Sequence, residues 1–215
     1  MRAEVMTLLY RLEAPAAAIG RTFETDTRGD PWAGGPVGPG QFAPVITAGR
    51  EAVAGPMPQT RQPRRMVPRL WGVPPPRSFE DGRQHGILTA RNLESPFWVG
   101  NLRNPEFRCL VPASAFMEWG RTSPTDGKRR QCWFACADQP LFAFAGVWKD
   151  SEIPTFALVT CEANAALRAE GRETMPVILP PDPRAHETWL RGGWGKAQAL
   201  VAPYSSSLLE MRVNA

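Results

Sequence analysis

Short apolar runs alternate along this chain with segments rich in glycine and proline, and long stretches of helical periodicity are rare. Apolar runs bounded by turn residues are typical of β-strands. The pattern predicts strands at residues 6–12, 42–48, 69–73, 87–91, 108–119, 131–137, 141–148, 155–160 and 174–179. Helical spacing and capping residues predict helices at residues 13–25, 95–102, 163–170 and 183–190. The tail after Gly192 carries only weak patterning.

Two turn-like segments predict which strands are neighbours. Residues 120–130 form a polar, basic stretch of the kind that closes a β-hairpin. The sequence Asp138-Gln139-Pro140 is a turn signal between the strands at 131–137 and 141–148, so we expect these two strands to pair with each other.

The stretch from Arg108 to Trp119 places a single carboxylate, Glu118, between two large apolar residues. After Pro112, alternation puts Ser114, Phe116 and Glu118 on one strand face, and Ala113, Ala115 and Met117 on the other. Three interpretations of Glu118 follow. It is paired with an arginine, it is held at a raised pKa for proton transfer, or it is a rim residue on an edge strand.

Many short strands with few helices predict an α+β fold, built on a curved and partly closed antiparallel sheet. The 215 residues suit one domain, and the 23 prolines and 19 glycines fit a chain with many turns. We expect residues 1–5 to be an N-terminal extension and residues 6–215 to form the domain, which we expect to be a monomer.

The charge of the chain is consistent with a nucleic-acid partner. The net charge is +4, the sequence pI is about 9.2, and nearly all the cations are arginines. Arginine binds phosphate and stacks on bases, although codon composition explains the arginine content equally well. A basic cluster at Arg61, Arg64 and Arg65 is either a solvated loop or a contact. Trp71, beside Gly72, either offers a stacking face or lies in the core.

Several function classes are disfavoured. The four cysteines show no C-x-x-C spacing and the two histidines are far apart, so we expect no metal and no other cofactor. A Gly-rich phosphate loop and a G-x-S-x-G motif are both missing from the sequence. No apolar run reaches membrane-spanning length, and the N-terminus has no secretory pattern, so we expect a cytoplasmic protein with no membrane partner.

Seven short motifs occur in order along the chain: Leu-Trp-Gly-Val-Pro (70–74), Ala-Arg-Asn-Leu-Glu-Ser-Pro-Phe-Trp (90–98), Arg-Cys-Leu-Val-Pro (108–112), Glu-Trp (118–119), Phe-Ala-Gly-Val-Trp (144–148), Val-Thr-Cys-Glu-Ala-Asn (159–164) and Met-Pro-Val-Ile-Leu (175–179). Each motif alone is weak, but together they are specific. The chain resembles the SOS response-associated peptidase (SRAP) family, the abasic-site shielding proteins, from Met6 to about Leu190.

The resemblance implies a chemistry. Family members expose an N-terminal cysteine, whose amine and thiol condense with the ring-opened sugar of an abasic site in single-stranded DNA. The same residue is proposed to release a leader peptide in some members. A glutamate, a histidine and an asparagine support the proton transfers, while arginines and tryptophans hold the flanking backbone and bases.

The matched positions are those around the family's acid and its DNA contacts. The glutamate falls on Glu118, which keeps it as the candidate acid/base residue or as a structural partner of Arg91. The remaining matches are candidate DNA-binding residues, namely Arg91, Trp71, Trp119, Thr160, Met175 and Pro176.

The departures from the family pattern are in the chemistry itself. Thr7 occupies the cysteine position, with five residues ahead of Met6, and Thr89 occupies the asparagine position. Counting forward from Thr160 puts the histidine position at Gly171, and counting back from Met175 puts it at Arg172. A threonine hydroxyl is a far weaker nucleophile than a thiolate.

Three hypotheses follow from these departures. In the first, the protein binds single-stranded DNA, with its cross-linking and self-processing chemistry lost or weakened. In the second, translation from Met6 yields an N-terminal Thr7 that acts as the nucleophile, with its own amine as the base. In the third, the fold is a non-catalytic interaction module.

Overall fold

The computed structural model describes residues 9–49, 60–76, 86–123 and 127–214. Thr7 and the expected extension at residues 1–5 lie outside these ranges. The described chain contains thirteen strands: β1 Leu9–Leu12, β2 Thr25–Asp26, β3 Gly35–Val37, β4 Phe42–Thr47, β5 Arg64–Trp71, β6 Thr89–Ala90, β7 Arg108–Ala113, β8 Ala115–Thr122, β9 Arg129–Cys136, β10 Phe142–Lys149, β11 Thr155–Glu162, β12 Thr174–Pro176 and β13 Leu209–Asn214.

Five α-helices lie in the same described ranges, and all are short: α1 Ala16–Phe23, α2 Val99–Arg103, α3 Ala165–Ala169, α4 Pro183–Arg191 and α5 Trp194–Gln198. α4 begins where Asp182 accepts a hydrogen bond from the Arg184 N–H at 2.8 Å, with Pro183 in the first turn. α3 begins in the same way at Asn164, which accepts from the Leu167 N–H. α2 starts later than predicted, because residues 92–98 form turns rather than a helix.

The strands form two sheets. One has five strands in the order β13-β9-β8-β1-β3. The other has eight, of which seven follow the order β12-β11-β10-β7-β4-β5-β2, while β6 pairs with β11 beside this path. β11 also pairs with β5 in parallel, through Thr155 with Leu70 and Phe156 with Trp71. This pairing closes the ring β5-β4-β7-β10-β11, which confirms the predicted α+β fold with a curved, partly closed sheet.

The stretch from Arg108 to Thr122 joins the two sheets. β7 pairs with β10 in the larger sheet, and β8 pairs with β1 and β9 in the smaller one. The chain changes sheet at Ser114, whose N–H donates to the Arg11 carbonyl and whose Oγ accepts from the Glu13 N–H. These bonds satisfy the backbone at the bend and hold β1 against β8.

The predicted hairpin between the strands at 131–137 and 141–148 is wrong. β9 lies between β8 and β13, whereas β10 lies between β7 and β11. The connecting Gln139 is buried and donates to the Leu179 carbonyl and to the Tyr204 hydroxyl, while that hydroxyl donates to Asp138. These long-range bonds direct the chain from one sheet to the other, which turn composition alone cannot indicate.

The main core lies between the two sheets and inside the closed ring, and large aromatic side chains fill it. Tyr10 packs on Trp71 and Phe144 with ring centroids 5.2 and 6.0 Å apart. Trp189 of α4 donates its indole N–H to the Cys109 carbonyl at 2.9 Å, which fixes the helix against β7. Burial of these large rings contributes to the hydrophobic stabilisation of the fold.

Candidate functional site

Glu118 lies on the inner face of β8 and is almost completely buried, with 4% of its surface exposed. It shares this face with Phe116, as alternation predicts, and its cross-strand partner on β9 is Cys132. A carboxylate in such a position is costly unless a cation or several hydrogen-bond donors compensate its charge. The rim interpretation of Glu118 is therefore wrong.

Arg172 supplies the compensating charge. Its Nε lies 3.0 Å from Glu118 Oε2, and both side chains are less than one-tenth exposed. The expected partnership between Glu118 and Arg91 is wrong, because Arg91 instead pairs with Glu173 across 3.6 Å at the surface. Glu118 is therefore paired with an arginine, as one of the three interpretations expected, but that arginine is Arg172 rather than Arg91.

The segment from Glu170 to Glu173 joins the ends of several strands. Glu170 Oε2 lies 3.7 Å from the Cys132 thiol, which donates to it, Arg172 reaches Glu118, and Glu173 reaches Arg91. Gly171 holds φ at +80°, a left-handed conformation that suits glycine and lets the segment turn. The segment 170–173 therefore contacts β9 at Cys132, β8 at Glu118 and Arg91, the residue that follows β6.

Thr89 and Thr160 lie on the neighbouring strands β6 and β11. Thr89 is half-buried and pairs with Leu158, while the Thr160 hydroxyl donates to the Ala90 carbonyl at 3.4 Å. That bond holds the strand from which Arg91 emerges. Thr160 is itself buried, so its contact in this structure supports the site from within.

Three further candidates belong to the core. Trp71 has no exposed surface, stacks on Phe156 at 6.1 Å and donates its indole N–H to the Leu88 carbonyl. Met175 and Pro176 are buried where β12 pairs with Cys161 and Thr160. A stacking face at Trp71 is therefore not available in this structure, which corrects that interpretation, and the same burial keeps Met175 and Pro176 from the surface.

Arg91 and Trp119 are the two candidate contacts that reach the surface. The Arg91 side chain is 68% exposed. Trp119 is half-buried and lies on the outer face of β8, opposite in direction to Glu118. The structure therefore brings Glu118, Thr89, Thr160 and Arg91 to one region, with Trp119 on the other side of the same strand.

A family model described as SOS response associated peptidase (SRAP) matches residues 8–214. The chain belongs to this family. An "Abasic site processing protein YoqW" from Bacillus subtilis is 27% identical over 151 residues, a match that spans 65% of this chain and 65% of that protein. The match thus covers slightly under two-thirds of the relative's length.

Solved structures share the fold. A protein from Bacteroides thetaiotaomicron superposes with a TM-score of 0.74 at 19% identity, covering 95% of this chain and 90% of the other. A protein from Bordetella bronchiseptica gives a TM-score of 0.74 at 18% identity, covering 96% of this chain and 99% of the other. At these identities the likeness concerns the fold alone.

The resemblance allows two positions for the family's histidine, Gly171 and Arg172. The Gly171 position carries no side chain, and the neighbouring position carries Arg172, which contacts Glu118. Arg172 is therefore the residue that faces the acid. A guanidinium stays protonated at all physiological pH values, so it can orient a carboxylate but cannot relay a proton as an imidazole does.

Cys132 is the thiol adjacent to Glu118, but its environment does not favour a nucleophile. It is buried, and burial together with the nearby Glu170 carboxylate raises the pKa of its thiol. A raised pKa lowers the thiolate fraction at neutral pH, and burial blocks access to it. The contact with Glu170 is therefore structural.

Sequence reasoning missed the contact of Arg172 with Glu118 and the contact of Glu170 with Cys132, and it identified the basic β8–β9 hairpin without connecting it to the site. The exposed cations of that hairpin are Arg121, Lys128, Arg129 and Arg130, and they close the strand pair that carries Glu118 and Trp119. Their spacing in the sequence was visible as a basic loop. Its position next to the acid became visible only once β8 and β9 were paired.

No group of three or more His, Cys, Asp or Glu side chains in the described part of the chain could hold a metal ion. Likewise, none of the helices in the described ranges has the length and hydrophobicity needed to cross a membrane.

Proposed function

We propose that this SRAP protein binds single-stranded DNA and that its abasic-site cross-linking and self-processing chemistry is lost or weakened. The observation that carries the proposal is the buried ion pair between Glu118 and Arg172, 3.0 Å apart. The residue that the family resemblance assigns to acid/base work is engaged by a permanent cation.

Proton transfer needs a group whose pKa lies close to the working pH. An arginine in the histidine position cannot release or accept the proton at neutral pH. The ion pair also holds the Glu118 carboxylate against the Arg172 side chain. The departures at Thr7 and Thr89 weaken the same chemistry, since they remove the thiol and the amide that the family pattern contains.

DNA binding is supported by charge and by the related protein. Exposed cations occur on the β8–β9 hairpin and at Arg91, and the chain as a whole carries a net charge of +4. Arginine side chains neutralise phosphates and stack on bases. The Bacillus subtilis relative is named an abasic site processing protein, which favours DNA over other polyanions as the ligand.

A salt series with fluorescent single-stranded DNA tests the binding. We expect measurable affinity at low salt, with log K falling linearly against log salt by roughly 0.7 per phosphate neutralised. Replacing both Arg129 and Arg130 by Gln should reduce this slope by roughly 1 to 1.5. The matched control is Arg103→Gln. Arg103 lies at the end of α2, is 60% exposed and pairs with Glu94. Wild-type protein that fails to bind at low salt would refute the proposal.

Trapping with borohydride tests the covalent chemistry separately. Three forms are incubated with an abasic-site oligonucleotide: the full chain, the form that starts at Thr7, and a Thr7-start form carrying Thr7→Cys and Arg172→His. We expect no adduct from the full chain and little from the Thr7 form. The double variant carries the cysteine and the histidine of the family pattern, and its adduct yield is the reference for the other two forms. A strong adduct from the Thr7 form would instead establish threonine-based catalysis.

A further inference from the structure

The outer face of the five-stranded sheet carries an apolar cluster that is separate from the main core. Cross-strand pairing places Met117 opposite both Leu9 and Trp133, and Trp119 follows Met117 by two residues on the same face. None of these four residues, Leu9, Met117, Trp119 and Trp133, belongs to the main core cluster. We call them the outer cluster.

Outward-facing positions of an antiparallel sheet that borders solvent are normally polar. Here Met117 is fully buried, and the two tryptophans are half-buried. Trp119 and Trp133 therefore lie beside a buried methionine, and each is itself partly exposed. Contiguous exposed aromatic surface of this kind marks interaction sites on soluble proteins.

A guanidinium group stacks on one of these rings. The Arg11 Cζ atom lies 4.2 Å from the centroid of the Trp133 ring, and Arg11 itself is exposed. The planar guanidinium leaves its second face open to solvent, and this face can stack on an aromatic ligand. The Arg11 guanidinium thus lies over the Trp133 ring, and the positively charged guanidinium is the outer of the two groups.

Positive charge also borders the outer cluster. Arg212 of β13 is the direct cross-strand partner of Trp133 and is 79% exposed. Arg129 precedes Trp133 by four residues on β9, which places it on the same face. The acid beside this border is Glu210, which lies 3.7 Å from Arg212. Aromatic rings bordered by arginines are the combination that binds single-stranded nucleic acid without reading its sequence.

We propose that the stacked pair of Arg11 and Trp133 is a base-stacking position for single-stranded DNA, adjacent to the one expected at Trp119. This inference rests on the proposed DNA binding and extends its path over the outer face of the sheet. Trp133 is the diagonal cross-strand neighbour of Trp119, at a Cα separation of roughly 7–8 Å. Neighbouring bases of one extended strand can therefore occupy the two positions, with Arg129 and Arg212 next to the phosphates.

The chemistry of the outer cluster favours a nucleic-acid strand over a protein partner. A protein surface without acidic side chains would cover the apolar rings but would not pair with a border of exposed arginines. A polyphosphate chain carrying flat bases matches both features, because charge and stacking alternate along it. Binding should tolerate any base, since every base offers an aromatic face.

Fluorescence anisotropy with oligonucleotides of two lengths tests the proposal on the full chain. A short oligonucleotide of about four nucleotides and a longer one of about twelve are compared, a range that brackets known site sizes on single-strand-binding surfaces. We expect Trp133→Ala to weaken binding of the longer strand by roughly 10-fold and to leave the shorter one nearly unchanged. Trp133→Phe, which keeps an aromatic ring, should retain most of the affinity.

Two further variants keep the test independent of folding defects. Arg11→Gln changes an exposed side chain and should weaken the longer strand by several-fold through loss of the charged stacking plane. Trp194→Ala, on α5, is the matched control for removing a half-buried tryptophan elsewhere, and we expect it to leave both affinities unchanged. Thermal unfolding of each variant checks that the fold is kept.

The outcomes separate this inference from the proposed function. If wild-type protein binds both strands and neither Trp133→Ala nor Arg11→Gln changes the affinity, the stacking position is refuted while DNA binding stands. If wild-type protein binds neither strand, the proposed function fails, and this extension fails with it.

Discussion

The pairing of Glu118 with Arg172 illustrates how a single contact changes the interpretation of a residue. Both side chains are buried, so neither charge is compensated by water. In such a pair, the mutual attraction mainly offsets the cost of removing two ions from solvent. The pair therefore contributes little net stability, but it fixes the position of the carboxylate.

Replacing Arg172 by Ala should destabilise the fold strongly, because it leaves the Glu118 charge buried without its partner. We expect a loss of roughly 3–5 kcal/mol in the free energy of unfolding, measured by urea denaturation. The control is Arg168→Ala, since Arg168 pairs with Glu162 at 3.4 Å on the surface and should cost at most about 1 kcal/mol. Equal losses in the two variants would contradict the buried-pair interpretation. Adding Glu118→Gln to Arg172→Ala should restore part of the stability.

At the scale of elements, the site depends on how closely the segment 170–173 approaches the β8–β9 pair. Gly120 of β8 allows this approach. A Cβ added at Gly120 would lie 2.7 Å from the Glu170 Oε2 atom and 2.8 Å from the Cys132 Sγ atom. The glutamate end can move away, but the Cys132 side chain on β9 has little freedom to do so. The glycine is required here by close approach of neighbouring side chains.

The substitution Gly120→Ala should therefore destabilise the protein by roughly 1–3 kcal/mol, as over-packed positions do. Gly100→Ala is the matched control, because a Cβ added within α2 at Gly100 meets no atom within 4 Å. That change should be neutral, or stabilising by up to about 1 kcal/mol through helix propensity. Thermal unfolding of both variants measures the difference, and a neutral Gly120→Ala would show that the segment is free to move away.

At the scale of the whole molecule, α4 is the helix that links the closed ring to α1. Trp189 anchors it to β7, and the ring of His186 packs on Phe23 of α1 at 5.5 Å between centroids. Burial, together with the neighbouring Arg64, lowers the pKa of His186 to about 4, although Asp182 and the Pro180 carbonyl act in the opposite direction. The neutral imidazole is therefore part of the packed structure.

This depressed pKa predicts acid sensitivity of the whole fold. The unfolded chain binds the His186 proton near pH 6.5, whereas the folded chain binds it only near pH 4. Between these values the unfolded state holds more protons, so stability falls as pH falls through this window, by up to roughly 3 kcal/mol in total. Above pH 6.5 the contribution does not change with pH.

Urea denaturation between pH 4 and pH 8 measures this effect, with His186→Gln as the comparison. We expect the difference in stability between wild type and variant to shrink as the pH falls below about 6.5, because the variant has no imidazole to protonate. A difference that stays constant across this range would show that His186 is protonated equally well in both states. Carboxylates that titrate in the same window cancel in the comparison.

The sequence by itself determined most of the strands, the fold class and the family. Period-2 alternation identified the faces of β8, because side chains on a strand point in opposite directions whatever the strand pairs with. The ordered motifs identified the family, since the family model matches residues 8–214. The helix predicted at residues 183–190 corresponds to α4, which begins with Pro183 in its first turn. These features depend on interactions between residues close in sequence.

Only the tertiary structure decided which residues share the site. β9 and β10 follow each other in the chain but enter different sheets. β13 forms in a tail with a weak sequence pattern, because β9 provides its pairing partner. The partner of Glu118 is Arg172 rather than Arg91, and Trp71 lies in the core. Such contacts join residues far apart in the chain, so they follow from the packing of whole elements and have no local signature.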